Sequence, residues 1–310
     1  MKKQLLELLI CPACLPGEFA LRPDIAEEEQ GDIEIGILTC PACGAQFPIK
    51  EGIALLDPNR AGLQGVANKY ETEEVVSSYL WSHFGDLLGD ENASEAYSAW
   101  AARMQPQDGI CIDAGGAVGR FAFEMSARFD FAIGIDNSVA FIKAARRLMK
   151  ARRVTFPLKE EGYLSREATI TLPEAWRSEK VEFIVADALA LPFRRDAAAS
   201  LASLNLIDKV PSPLRHLDEM NRVTRESRAQ FLLSDPFSWS PEAASEEQWL
   251  GGKPDGPYPG KGLDNVIRLL GEERLGPVWR IEESGNVWWK IRTHANHYEL
   301  IRSCFVKASR

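Results

Sequence analysis

No stretch of this chain approaches the roughly 20 consecutive apolar residues that a membrane-spanning helix needs. A helical membrane protein is therefore not expected. The opening run MKKQLLELLI is short and contains Glu7. It leads into CPAC, not into the small-residue cleavage site of a secretory signal, so we expect a cytoplasmic protein. Basic residues are in deficit: 36 Lys and Arg stand against 45 Asp and Glu, for a formal net charge of -9. Phosphate binding draws on a basic surface, so this balance argues against a nucleic-acid groove. The local cluster Arg146, Arg147, Lys150, Arg152 and Arg153 reads as a solvated helix face. A disulfide framework is missing too. Four of the six cysteines form two C-P-A-C pairs, and Cys111 and Cys304 sit alone in apolar, strand-like runs as small hydrophobes. What remains is an ordinary soluble composition, 45% hydrophobic and 26% charged, and a length of 310 residues that suits one large domain plus a small one.

The small domain is marked by Cys11 and Cys14, then Cys40 and Cys43. Each C-x-x-C turn points two thiolates at one metal, and two turns complete a tetrahedron. A redox pair would need no second copy. Four cysteine ligands leave no open position for water, so the expected zinc is structural, contributing on the order of 10 kcal/mol to the folding of a module with little core of its own. Phe19–Leu21, Ile33–Thr39, Gln46–Ile49 and Gly52–Leu56 read as short strands of a zinc-ribbon-like sheet. The run LLELLICPAC … LTCPACGAQFPIKEGIALLDP, over residues 1–58, resembles the zinc-binding activator protein of tRNA and protein methyltransferases. In that family the module is a separate subunit that solubilises a methyltransferase. The resemblance implies a stabilising or partner-docking role for a module that is here fused to an enzyme.

Residues 57–68 (DPNRAGLQGVAN) read as linker. Over 70–88, Val76, Leu80, Phe84 and Leu88 form an apolar helical stripe, and Val75, Tyr79 and His83 form the row beside it. A second helix is expected at about 93–104. Residues 59–104 thus connect the zinc module to a domain over 105–310.

That domain opens as strand, glycine turn, helix: GICID, AGGAVGR, FAFEMSARF. Such a turn lets a ligand approach the backbone and offers helix N-terminal amides. The spacing is D-x-G-x-A-x-G, with Asp113, Gly115, Gly116, Ala117 and Gly119. A carboxylate in front of the first glycine repels a pyrophosphate and suits the ammonium group of S-adenosylmethionine. The next strand ends in Asp136-Asn137, where an acid can accept both ribose hydroxyls. A third strand ends in Asp187-Ala188, a fourth in Asn205-Leu206, and a fifth near Asp235. A single acid at a strand end has plain explanations as a cap or turn former. Several in register with a glycine loop resemble the class I methyltransferase family across about residues 105–308. That resemblance implies an α/β, seven-stranded, doubly wound sheet with an antiparallel last strand, and S-adenosylmethionine as cofactor, its adenine near Asp187. The departure is Ala117, where the family usually has glycine.

Two segments are extra. Residues 151–180 contain VTFPL and ATITL, the two arms of a hairpin. Residues 236–262 are longer than a connection needs and carry Trp239, Trp249 and Tyr258. They read as a substrate lid or as an insertion packed by its own aromatics. VVSSYLWSHFGD, AVGRFAFEMSARFDFAIGIDNSVAFIKAARRL, EEGYLS, LNLIDKVPSP, SDPFSW with EEQWLGG, and KIRTHANHYE resemble the methyltransferase domain of the bifunctional ovothiol-biosynthesis enzymes, in the same order over about 75–300. The DPFSW…WLGG pair is the most specific. The Gly116 position, KVPSP and HANHYE depart from the pattern. The resemblance implies N-methylation of a 4-mercaptohistidine-type amino acid, without the iron-dependent half of those enzymes. The candidate catalytic residues are Tyr79, His83 and His294 toward the ring or thiolate, Arg292 toward the carboxylate, and Asp235 or Asp208 toward the ammonium, with Phe237 and Trp239 walling the methyl site. Two rival readings stay open: a tRNA or protein methyltransferase docked through its zinc module, and a non-catalytic cofactor-binding protein.

Overall fold

The computed structural model describes residues 1–59, 69–272 and 275–310. Residues 60–68 of the expected linker lie outside the described residues. No described helix is long and apolar enough to cross a membrane.

The N-terminal module is an antiparallel sheet of β1 (Arg22–Glu29), β2 (Asp32–Thr39), β3 (Gln46–Lys50) and β4 (Ile53–Ala54), in that order. The strand expected at 19–21 starts later. Ala20 makes only an isolated bridge to Ile10, and the first full strand is RPDIAEEE. Every residue of β1 is exposed, so no alternation of apolar and polar positions announces it in the sequence.

The helix expected at 70–88 is three pieces. A short turn, Lys69–Glu71, precedes α1 (Glu73–Phe84), and a tighter turn, Gly85–Leu88, follows it. Thr72 caps α1 by accepting the Val75 amide at 3.3 Å. α2 (Ala96–Ala102) is shorter than expected at both ends.

The large domain is built on a seven-stranded sheet. In chain order its elements are β5 (Ile110–Ala114), α3 (Arg120–Met125), β6 (Phe131–Asp136), α4 (Val139–Ala151), the hairpin β7 (Arg153–Glu161) and β8 (Leu164–Thr171), β9 (Val181–Val185), β10 (Ala198–Leu204), α5 (Pro213–Val223), β11 (Gln230–Asp235), α6 (Gly262–Leu270), β12 (Arg280–His294) and β13 (His297–Ser309). The order across the sheet is β12-β13-β11-β10-β5-β6-β9. β13 runs antiparallel to both of its neighbours, and the β11-β10-β5-β6-β9 pairings are parallel. One apolar layer joins α1–α4 and the β7–β8 hairpin to the sheet. The other joins α5, α6 and the zinc module to the opposite face, where Met1, Leu5 and Leu9 share a core with Ile184 and Phe193.

The module also closes an edge of the sheet. Leu56 donates its amide to Val185 O at 2.7 Å, and Leu55 bridges Val185 in parallel. Strand β9 is therefore not left as an open edge, a common route to aggregation. A buried ion pair sits beside this seam: Glu182, with no exposed surface, pairs with Arg146 and accepts the Lys2 amide at 2.5 Å. Further out, Lys150 pairs with Glu34 and Arg222 with Glu18.

Candidate active site

The four zinc-module thiols converge. Cys11 and Cys43 lie 3.7 Å apart at sulfur, as do Cys14 and Cys40, and all four sulfurs fall within 4.8 Å of one another. A tetrahedron with metal–sulfur bonds of about 2.3 Å has edges of about 3.8 Å, so the cluster is compatible with zinc. Nothing but sulfur completes the set, which is the closed shell of a structural site.

The glycine loop follows β5 on the side of the sheet that carries α1 and α2. Gly115 and Gly116 both donate to Ile135 O, at 2.9 and 2.8 Å, which folds the loop back over β6. Ala117 has φ of 44° and donates to Asp136 Oδ2 at 3.0 Å. This is the left-handed region that favours glycine, which explains the family's usual residue there. Gly119, with φ of 90°, lies under the Phe183 ring, where a Cβ would come within 2.5 Å of a ring carbon. Asp113 is buried at the end of β5, its carboxylate directly over Gly116. Asp136 also accepts the Ser138 amide at 2.9 Å. Burial, aided by repulsion between the two acids, raises Asp113 to about 7; burial likewise raises Asp136 to about 6. Two carboxyls held so far above their ordinary range favour a cationic ligand. Asn137 is exposed on the turn into α4.

Asp187 lies just beyond the end of β9 and accepts the Leu189 amide at 2.8 Å. The Ala188 carbonyl accepts from His216 Nδ1 at 3.1 Å, so Nε2 of this buried ring takes the Ser203 hydroxyl at 2.9 Å. Burial lowers His216 to about 4 and keeps the ring neutral. Asn205, with φ of 56°, ends β10; its Oδ1 accepts from Ser303 at 2.6 Å, and its Nδ2 is buried without a partner.

Helix α1 and the free end of the β12–β13 ribbon roof this edge of the sheet. Ser78 and Ser82 hydroxyls donate to Arg292 O and Lys290 O, pinning α1 along β12. Tyr79 and His83 lie side by side as their helical spacing implies, ring centroids 5.8 Å apart. Tyr79 packs on Phe141 and on the edge of Trp289. His83 Nε2 is 2.7 Å from the Tyr97 hydroxyl, while its Nδ1 is buried without a partner. Burial lowers the imidazole well below its ordinary range, and the nearby Arg120 adds to this, so the ring is neutral. Trp289 Nε1 is a second buried, unpartnered donor on this roof. In the sequence Tyr97 and Trp289 each sit in an ordinary amphipathic pattern, where aromatics signal packing.

The remaining candidates lie elsewhere. Asp235 and Asp208 are fully buried together behind the sheet edge: Asp235 accepts the Phe237 amide at 2.6 Å and Asp208 the Ser238 amide at 2.8 Å. Burial and the adjacent Asp208 push Asp235 well up. Phe237, Trp239 and Trp249 pack on one another. The glycines of the WLGG segment and the following turn serve that packing: a Cβ on Gly252 would meet Trp239 at 2.9 Å, and one on Gly262 would meet Phe237 at 2.4 Å. Arg292 is far from the acid pair. Asp235 pairs with Cys304 and Cys304 with Asn286, and Arg292 is six residues further along β12, about 20 Å at the usual strand rise. The Arg292 side chain bonds Glu160 at 2.9 Å. His294 is at the ribbon tip beside His297. Tyr79 and His83 thus lie together on α1, Asp235 ends β11 beside Asn205, whose amide donates to Ser234 O at 2.6 Å, and Arg292 and His294 lie toward the far end of the β12–β13 ribbon.

Residues 112–227 match the family described as methyltransferase domain, and residues 2–52 match the Trm112p-like protein family. No curated protein matches the sequence. Among solved structures, the complex of the Haloferax volcanii Trm112 methyltransferase activator with a methyltransferase superposes with a TM-score of 0.45 at 14% identity, over 79% of this chain and 99% of that one. A methyltransferase from Bacillus halodurans gives 0.44 at 14% identity, over 68% and 97%. An S-adenosylmethionine-dependent methyltransferase from Methanosarcina mazei gives 0.42 at 17%, over 67% and 95%.

Proposed function

We propose that this chain, an S-adenosylmethionine-dependent methyltransferase carrying a Trm112p-like module, methylates a ring nitrogen of a small thiol-imidazole amino acid of the mercaptohistidine type. The observation that carries the reading is the junction of two features at one sheet edge. A glycine loop flanked by Asp113 and Asp136 stands opposite an aromatic roof of Tyr79, His83, Tyr97 and Trp289. In this reading Asp113 would meet the cofactor's ammonium group, Asp136 its ribose with Asn137 beside it, and Asp187 with Ala188 its adenine end.

The bound cofactor supplies an activated methyl group on a sulfonium. Transfer then depends on in-line placement of the attacking atom, near ~3 Å. A neutral imidazole nitrogen is already a nucleophile, so the chain needs to orient it more than to deprotonate it. Tyr97 holds His83 Nε2, which leaves Nδ1 to the substrate. The Trp289 and Tyr79 rings would help exclude water, and an aromatic face there would favour the sulfonium. Asn205 Nδ2 is a further donor at the end of β10.

The test is turnover followed by mass spectrometry, with mercaptohistidine, histidine, ergothioneine-type thiols and bulk tRNA offered separately. Methyl incorporation into mercaptohistidine is expected. Label in tRNA or protein, with none in the thiol-imidazoles, overturns the reading. It would favour the second one, a macromolecular acceptor, for which the Trm112p-like match speaks.

A further inference from the structure

Arg120 follows Gly119 at the start of α3 and is buried. Every nitrogen of its guanidinium is engaged. Nε donates to Glu124 at 2.9 Å, within α3 itself, and Nη2 lies 2.8 Å from the same carboxylate. The remaining bonds leave the helix. Nη1 donates to the His83 carbonyl at 2.8 Å and to Asp86 at 2.6 Å. Nη2 donates to Asp86 at 2.9 Å and to the Ser98 hydroxyl at 3.3 Å. His83 is in the last turn of α1, Asp86 is in the turn Gly85–Leu88, and Ser98 is beside Tyr97 on α2. One guanidinium therefore grips both elements that carry the His83–Tyr97 hydrogen bond, at the backbone of one partner and next to the other. A planar fork clamped on one carboxylate fixes angle as well as distance, which a lysine ammonium does not. On the other side, Gly119 donates to Gly116 O at 2.8 Å and accepts from Phe123 at 3.0 Å, so the glycine loop and the start of α3 form one hydrogen-bonded unit.

We infer that Arg120 is a positioning residue that ties the glycine loop to the His83–Tyr97 pair, so that a cofactor held by the loop steadies the roof. Whatever restrains the loop restrains Arg120, and through it the end of α1 and the start of α2. Ordering passed on in this way needs no change of shape. The inference rests on the glycine loop as the cofactor site and not on which acceptor is methylated.

Amide hydrogen exchange on the full zinc-loaded chain, with and without saturating S-adenosylmethionine, tests this without any acceptor. In the unaltered chain the cofactor should slow exchange about tenfold or more, both in the loop segment 115–125 and in the roof segments 73–88 and 96–102. In Arg120→Lys and in Asp86→Asn the loop should stay protected, while the roof loses most of its cofactor-dependent protection. Glu124→Gln removes a charge from the same guanidinium inside α3 and should keep that protection. In turnover, Arg120→Lys should lower kcat about tenfold and leave the cofactor KM unchanged. The inference is overturned if the cofactor leaves the roof unprotected in the unaltered chain, or if the roof keeps its protection in Asp86→Asn. It is also overturned if Glu124→Gln loses as much as Asp86→Asn, or if Arg120→Lys raises the cofactor KM with kcat unchanged. Asp86→Asn decides the matter if Arg120→Lys does not fold. Because exchange needs no acceptor, a failed mercaptohistidine assay leaves this result standing, and the two failures are told apart.

Discussion

The backbone amide of Ala117 donates to the Asp136 carboxylate at 3.0 Å while Ala117 itself is held at a φ of 44°. One hydrogen bond thus ties the glycine loop to the end of the next strand, and it fixes a non-glycine residue where L side chains are strained. The left-handed conformation costs an alanine about 1–2 kcal/mol, partly offset by the greater entropy that glycine loses on folding. Ala117→Gly should therefore stabilise the protein by up to about 1 kcal/mol in urea denaturation and leave cofactor affinity unchanged. A loss of stability would show that the methyl group packs usefully.

The two cleft acids give a pH dependence of definite sign. Asp113 at about 7 and Asp136 at about 6 both lie above the ordinary 3.8. Their contribution to stability is full below about pH 4 and is lost as the pH rises through 6 to 7. A cationic cofactor favours the ionised forms. Its affinity should therefore rise over the same interval, by about tenfold between pH 6 and pH 8, and its thermal stabilisation should be larger at pH 8. A flat affinity profile in calorimetry would remove both acids from the binding of the cation.

Tyr97→Phe should leave the buried Nε2 of His83 unsatisfied, at a cost of about 1–3 kcal/mol. If Tyr97 positions His83 for the substrate, turnover should fall more than the population of folded protein does, with cofactor affinity retained. Equal falls in both would assign the pair to packing alone.

Chelation of the zinc module should destabilise the whole chain. Leu56 covers the edge of β9, and Glu182 is buried beneath the module with Arg146. Cys40→Ser, or a strong chelator, should lower the unfolding temperature and promote aggregation through the uncovered edge. Glu182→Gln should cost about 1–3 kcal/mol, because it leaves the buried Arg146 with Asp32, 3.6 Å away, as its remaining carboxylate. A single unfolding transition in the intact protein, split in two by chelation, is the signature to look for in scanning calorimetry.

Much of this was legible in the sequence because it rests on local rules. The thiol spacing of Cys11, Cys14, Cys40 and Cys43 is a property of two turns. The strand–turn–helix around Gly115 and Gly119 needs only a buried run and residues that tolerate positive φ. The acids at strand ends sit one after another along parallel strands, whose order follows from the connections. The pairing of Tyr79 with His83 is helical geometry.

What the chain alone did not determine depends on contacts between distant segments. Strand β1 is exposed throughout and has no pattern to read. Arg292 and Asp235 are both polar residues near strand ends, yet the strand register sets them about 20 Å apart. That α1 lies along β12 at all is decided by Ser78 and Ser82, whose hydroxyls donate to Arg292 O and Lys290 O. Tyr97 meets His83 only because α2 delivers its hydroxyl to that ring. The zinc module, a separable motif in the sequence, shares a core with the methyltransferase sheet because its Leu55 and Leu56 meet the backbone of Val185. Spacing along the chain specifies turns and faces; only tertiary packing determines which of those faces meet.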